Sequence, residues 1–84
     1  MSRFWQEGIR ITVTANAAGV PEAFVWLGEA HSVEGISDNW RLDEGWWVSR
    51  KWRHYFRLST TTGLLVDVYH DLHQGHWYLE RLYD

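Results

Sequence analysis

The sequence predicts one all-β domain spanning residues 1–84: a small, twisted antiparallel sheet or partly open barrel of five or six strands. Short runs that alternate apolar and polar residues recur along the chain, and this period of two is typical of half-buried strands. Turns that contain glycine separate the runs of the second half, which predicts a C-terminal three-stranded meander. A chain of 84 residues builds a single core, and its 7 Trp, 4 Tyr and 3 Phe supply the large side chains that fill it.

The first half of the chain predicts three strands. Residues 9–14 alternate isoleucine and valine with arginine and threonine, which indicates a strand with one buried face. After a loop at 15–21, residues 23–27 form a short apolar run that favours a second strand. A tight turn at 28–29 then leads into a polar strand at 30–36.

The pattern is least clear in the middle of the chain. The alternation is lost from residue 37 to residue 45, so no element is predicted there. Trp46 and Trp47 follow, and we interpret this pair as an anchor or a short strand.

Three alternating runs, 52–58, 64–70 and 77–83, form the predicted meander. The loops between them, 61–63 and 72–75, both contain a glycine near the point where the chain enters the next strand. Glycine adopts the positive φ that such turns require without steric strain. The lengths of the two loops therefore fix the register of the three strands.

The register of the meander sorts its side chains into two faces. The first loop sets these residues opposite each other: Arg53 and Asp71, His54 and His70, Tyr55 and Tyr69, Phe56 and Val68, Arg57 and Asp67, Leu58 and Val66. The second loop sets these opposite each other: Asp67 and Glu80, Val68 and Leu79, Tyr69 and Tyr78, His70 and Trp77. One face is then mainly apolar, with Arg81 and Tyr83 at its margin, and the other carries tyrosines and opposite charges.

Composition and charge limit the classes of function. The chain has no cysteine, which excludes disulfides and thiolate zinc sites and fits a reducing cytosol. Because no signal-peptide or membrane-spanning run is present, we expect a cytoplasmic protein that does not enter membranes. A net charge of −3 argues against strong non-specific binding of polyanions. The charges are also segregated, since the charged residues within 22–44 are mostly acidic and those within 50–57 are all basic.

The meander and the C-terminal segment resemble a small bacterial domain family of unknown function. The resemblance is densest over residues 52–84, and its most specific part is Trp77-Tyr78-Leu79-Glu80-Arg81-Leu82-Tyr83-Asp84. Members of this family occur as short free-standing proteins, and similar segments close the C-terminus of some polymerase-like mutagenesis accessory proteins related to the Y-family DNA polymerases. The resemblance implies a setting in DNA repair or damage tolerance, and it implies no catalytic residue.

No catalytic motif and no phosphate-binding loop is present, so we expect neither an enzyme nor a cofactor. Asp67 and Glu80 could act as a paired acid and base, but Arg57 opposite Asp67 favours simple charge neutralisation. A histidine metal site is conceivable at the last turn, yet turn histidines are usually solvated, and no metal ligand is assigned. The histidines in question are His54, His70, His73 and His76.

Basic and aromatic residues form the candidate binding surface. They are Arg50, Lys51, Arg53, Tyr55, Arg57, Tyr69 and Tyr78. Exposed arginine and aromatic residues are typical of protein interfaces, so the first hypothesis is a non-enzymatic protein-interaction module. The alternative is weak binding of single-stranded nucleic acid, with bases stacked on the tyrosines. In a third possibility, the tyrosines pack beneath the N-terminal strands and leave no open stacking face.

Overall fold

A computed structural model describes residues 2–46 and 49–83, and for residues 46, 49 and 50 it describes the backbone only. Six strands follow one another along the chain: β1 (Arg3–Ala15), β2 (Pro21–Trp26), β3 (Glu29–Trp46), β4 (Ser49–Thr60), β5 (Leu65–Asp71) and β6 (Trp77–Tyr83). Each strand pairs antiparallel with the next, and β1 also pairs with β6, so the single sheet closes in a ring. The predicted all-β class is therefore confirmed. No helix that could span a membrane occurs in the part of the chain that the structure describes.

The core fills the inside of the ring. Its buried members are Ile11, Phe24, Phe56, Leu58, Val66, Val68, Trp77 and Leu79. They come from every strand except β3, whose Val33 packs against them while partly exposed. The aromatic members supply much of the volume, since a buried ring covers about 150–250 Å² of surface.

The predicted register of β4 and β5 is confirmed at every pair from Arg53–Asp71 to Leu58–Val66. Between β5 and β6, the predicted pairs from Val68–Leu79 to His70–Trp77 are also confirmed.

The predicted pairing of Asp67 with Glu80 is wrong, because a β-bulge between Asp67 and Val68 sets Asp67 opposite Arg81 instead. β6 has one extra residue at this point, so the side chains of β6 that follow it point to the opposite face of the sheet from the one predicted. Leu82 consequently packs against the core. Arg81 and Tyr83, expected at the margin of the apolar face, lie on the outer face with Asp67.

The third strand is much longer than predicted, because β3 continues through residues 37–45 to Trp46. Its pairing with β4 is interrupted between Val33 and Gly35 and again between Ile36 and Asp38. These irregularities break the period of two and hide the strand from a pattern search. Trp46 ends the strand, whereas Trp47 lies outside the described residues.

A strand of six residues, β2, closes the ring between β1 and β3. It pairs with residues 12–15 of β1 and with residues 29–32 of β3. Among the described residues, no strand other than β4 pairs with β3 beyond residue 32. The β3–β4 hairpin therefore continues past the end of β2, and beyond residue 32 one edge of β3 pairs with no strand in the described part of the chain.

Candidate interaction site

A row of four aromatic rings crosses the outer face of the sheet. Trp40, Tyr55, Tyr69 and Tyr78 contribute one ring from each of β3, β4, β5 and β6. Successive ring centroids lie 5.3, 5.1 and 5.0 Å apart, and the Trp40 and Tyr55 rings are nearly parallel at 4°. The spacing is close to the ~4.7–4.9 Å between neighbouring strands, so cross-strand register alone produces the row.

The N-terminal part of β1 covers the middle of this row. The β1–β6 register shifts between Phe4 and Ile9. Within this irregular stretch the Trp5 side chain packs against the core, whereas the backbone of Glu7 and Gly8 lies against the outer face. Tyr69 Oη donates a 2.7 Å hydrogen bond to the carbonyl of Glu7. Gly8, at φ +78, lies so close that an added Cβ would be 2.8 Å from Cβ of Tyr78. Only glycine fits this approach without strain.

The two central tyrosines are not open to solvent. Tyr55 is 5% exposed and Tyr69 is 2% exposed. Tyr69 therefore packs beneath an N-terminal strand, as the third possibility expects for the tyrosines. Neither of these two rings offers an open stacking surface. Burial also raises the pKa of Tyr69 to about 12.

Arg53 lies over the row rather than projecting into solvent. Its guanidinium is 4.3 Å from the centroid of the Tyr69 ring. Nη1 donates a 3.0 Å hydrogen bond to Tyr55 Oη, and Nη2 lies 3.5 Å from the carboxylate of Glu7. Tyr55 Oη in turn donates to the Glu80 carboxylate at 3.2 Å. Burial raises the pKa of that carboxyl group above its ordinary value.

Arg57 and Asp67 form the predicted cross-strand ion pair. Arg57 Nε donates to Asp67 Oδ1 at 3.0 Å, and Nη2 donates to Tyr83 Oη at 2.7 Å. Tyr83 Oη donates to Asp67 Oδ2, also at 2.7 Å, so the 4% exposed carboxylate of Asp67 is well satisfied. Asp67 and Glu80 thus have separate sets of donors, which favours charge neutralisation over a paired acid and base.

The acidic and basic segments of the chain lie side by side in the hairpin. Asp38 pairs across the ladder with Arg57, and Glu44 pairs with Lys51, whose side chain is exposed. The backbone of Arg50 pairs with Gly45, but its side chain lies outside the description. The four basic residues of the candidate surface therefore do not form an isolated positive patch.

His54 and His70 are cross-strand neighbours, as predicted. Each ring lies against a core aromatic ring, with centroids 4.2 Å apart for His54 and Phe56 and 4.3 Å apart for His70 and Trp77. Burial lowers the pKa of both histidines. Within residues 2–46 and 49–83, no three histidine or carboxylate side chains are grouped as metal ligands would be.

The free edge of β3 is the feature that sequence reasoning missed. From Asp38 to Trp46 the pairing with β4 is regular, and Trp40 and Leu42 are only partly buried on the outer face. Trp40 is the end of the aromatic row at this edge. A signal was present in the sequence, because Trp40 and Leu42 alternate with polar residues at 39, 41 and 43.

Comparisons with known proteins give a family and no activity. The protein-family model that matches the chain is described as a domain of unknown function (DUF6504), and the match covers residues 1–84. No curated protein and no solved structure matches the chain.

Proposed function

The chain belongs to the DUF6504 family, and we propose that it is a non-enzymatic interaction module that docks another protein along the free edge of β3. The observation that carries this proposal is the regular stretch of β3 from Asp38 to Trp46, which, among residues 2–46 and 49–83, pairs with a strand on one side only. An unpaired edge offers a row of backbone donors and acceptors to which an extended segment adds as a further strand.

The side chains beside this edge support a protein partner. Trp40 is partly exposed, and the guanidinium of Arg57 lies 5.4 Å from the centroid of its ring. On the opposite face of the hairpin, Trp52 is 37% exposed. Tryptophan and arginine are the residue types most enriched among the energetically important residues of protein interfaces.

Single-stranded nucleic acid has weaker support as a ligand. Two of the three tyrosine rings that would stack with bases, those of Tyr55 and Tyr69, are buried, and Tyr78 is only partly exposed. The basic residues also lie beside acidic ones. With a net charge of −3, we expect a labelled single strand at low salt to bind no more tightly than roughly 10⁻⁴–10⁻⁶ M, the range of non-specific binding. Tighter binding with a steep salt dependence would favour nucleic acid over protein docking.

The proposed setting is DNA damage tolerance in a bacterial cytoplasm. It rests on the similarity of residues 52–84 to C-terminal segments of polymerase-related mutagenesis accessory proteins. In that setting the domain would recruit a partner, whether it acts as a free-standing protein or within a larger one.

Site-specific photo-cross-linking tests the proposal. A photoreactive amino acid at Leu42, beside the free edge, should cross-link a discrete protein partner in cells. The matched control is Val25, an exposed apolar residue on a strand that is paired on both sides. The purified partner should then bind the wild-type domain and lose affinity for Trp40→Ala. Equal cross-linking from both positions, or none from Leu42, would contradict docking at β3.

A further inference from the structure

We propose that the segment bound along β3 is an extended, basic peptide with an aromatic residue that stacks on Trp40. This inference rests on the proposed function, because it names the chemistry of the partner at the same edge. Two independent observations carry it: the geometry of the aromatic row and the charges on the outer face of β3.

The aromatic row ends at Trp40, where the described residues add no further strand to β3. Every neighbouring pair of strands from β3 to β6 places two rings about one strand spacing apart. A segment added to β3 would place its own side chain opposite Trp40 at the same spacing. An aromatic side chain at that position continues the row as a fifth ring and covers Trp40.

The outer-face residues that flank Trp40 define what the neighbouring positions of the peptide should carry. Asp38 and Glu44 are exposed acids on this face, and Leu42 lies between Trp40 and Glu44. Because side chains on one face recur every second residue, an added strand sets residues opposite all four in turn. Basic residues complement Asp38 and Glu44, and an apolar residue complements Leu42.

Two features explain why the acidic edge should attract a basic peptide although β4 carries basic residues. Arg57 and Lys51 lie on the β4 side of Asp38 and Glu44, whereas the added strand would lie on the other side. Arg57 is already bound to Asp67 and Tyr83. β3 therefore presents the carboxylates of Asp38 and Glu44 to a segment that binds along its edge.

A synthetic peptide with this pattern provides the probe. For antiparallel addition, the sequence Lys-Thr-Val-Thr-Tyr-Thr-Lys places its two lysines opposite Glu44 and Asp38, its valine opposite Leu42 and its tyrosine opposite Trp40. Binding of the labelled peptide to the full chain is followed by fluorescence anisotropy at low salt. A peptide with glutamate in place of both lysines should bind about tenfold more weakly, since two attractive cross-strand pairs become repulsive.

Two further changes separate strand addition from simple charge attraction. Proline in place of both the valine and the central threonine keeps the charge of the peptide. Because adjacent residues of a strand direct their N–H groups to opposite sides, one of the two prolines removes a hydrogen bond to β3, so binding should be lost. Trp40→Ala should weaken binding by about 2- to 12-fold, the value of one aromatic pair, while the fold is retained by circular dichroism. The double variant Asp38→Lys, Glu44→Lys should prefer the glutamate peptide.

The outcomes distinguish the partner chemistry from the docking site. Absence of binding by the basic peptide, or equal binding of the proline-containing peptide, would overturn the proposed occupant. If Leu42 still cross-linked a protein, docking at β3 would stand and only the chemistry of the segment would be wrong. If neither experiment succeeded, both proposals would fall together.

Discussion

Replacement of Trp77 by alanine should remove a large part of the stability of the domain. The Trp77 side chain is 9% exposed and lies between the ring of His70, at 4.3 Å and nearly parallel, and the ring of Phe56, at 5.8 Å. Such a truncation typically costs about 3–5 kcal/mol, because the cavity left behind relaxes only in part. The whole free energy of unfolding for a domain of this size is about 4–13 kcal/mol.

The thermal midpoint measures this effect. At about 4–8 °C per kcal/mol for a domain of 60–100 residues, Trp77→Ala should lower the midpoint by about 12 °C or more. Trp77→Phe keeps an aromatic ring and should lose much less, and Phe4→Ala, at a residue 54% exposed, serves as the surface control. A Trp77→Ala midpoint within a few degrees of wild type would refute the assignment of Trp77 to the core.

Three further predictions follow from the outer face and the histidines. Gly8→Ala should destabilise the domain by at least about 1–2 kcal/mol in urea unfolding, because alanine at φ +78 is strained and its Cβ meets Tyr78. Since folding raises the pKa of Tyr69 from 10.0 to about 12, its contribution to stability should be complete below pH 10 and lost as the pH rises towards 12. Tyr69→Phe should flatten that alkaline limb. Folding lowers the pKa of His54 and of His70, so their contribution to the free energy of unfolding should be present above pH 6.5 and lost as the pH falls below it. Replacement of these histidines by glutamine should make stability less dependent on pH in that acid range.

The meander was predictable from sequence because its loops determine its register. Loop length sets the pairing of β4 with β5, and one buried face makes any slip unfavourable. The bulge at Asp67 was not predictable, since it places Leu82 in the core by tertiary packing that no local pattern records.

The candidate site was harder to predict than the fold. The tyrosines were correctly placed on one face, but the cover of Tyr69 depends on Glu7 and Gly8, about 60 residues away in the chain. The role of Trp40 was missed because two irregularities in β3 precede it and disturb the alternation.

Ring closure has a consequence for the order of folding. The pairs of β4, β5 and β6 join residues that are near each other in sequence, whereas the β1–β6 pair Arg3–Leu82 joins nearly the two ends of the chain. Bringing distant segments together requires the largest loss of chain entropy, so we expect the meander to form first and β1 to join it last. Until β1 joins the meander, Tyr69 lacks its cover, and a chain that is still folding exposes an aromatic surface that favours association with other chains.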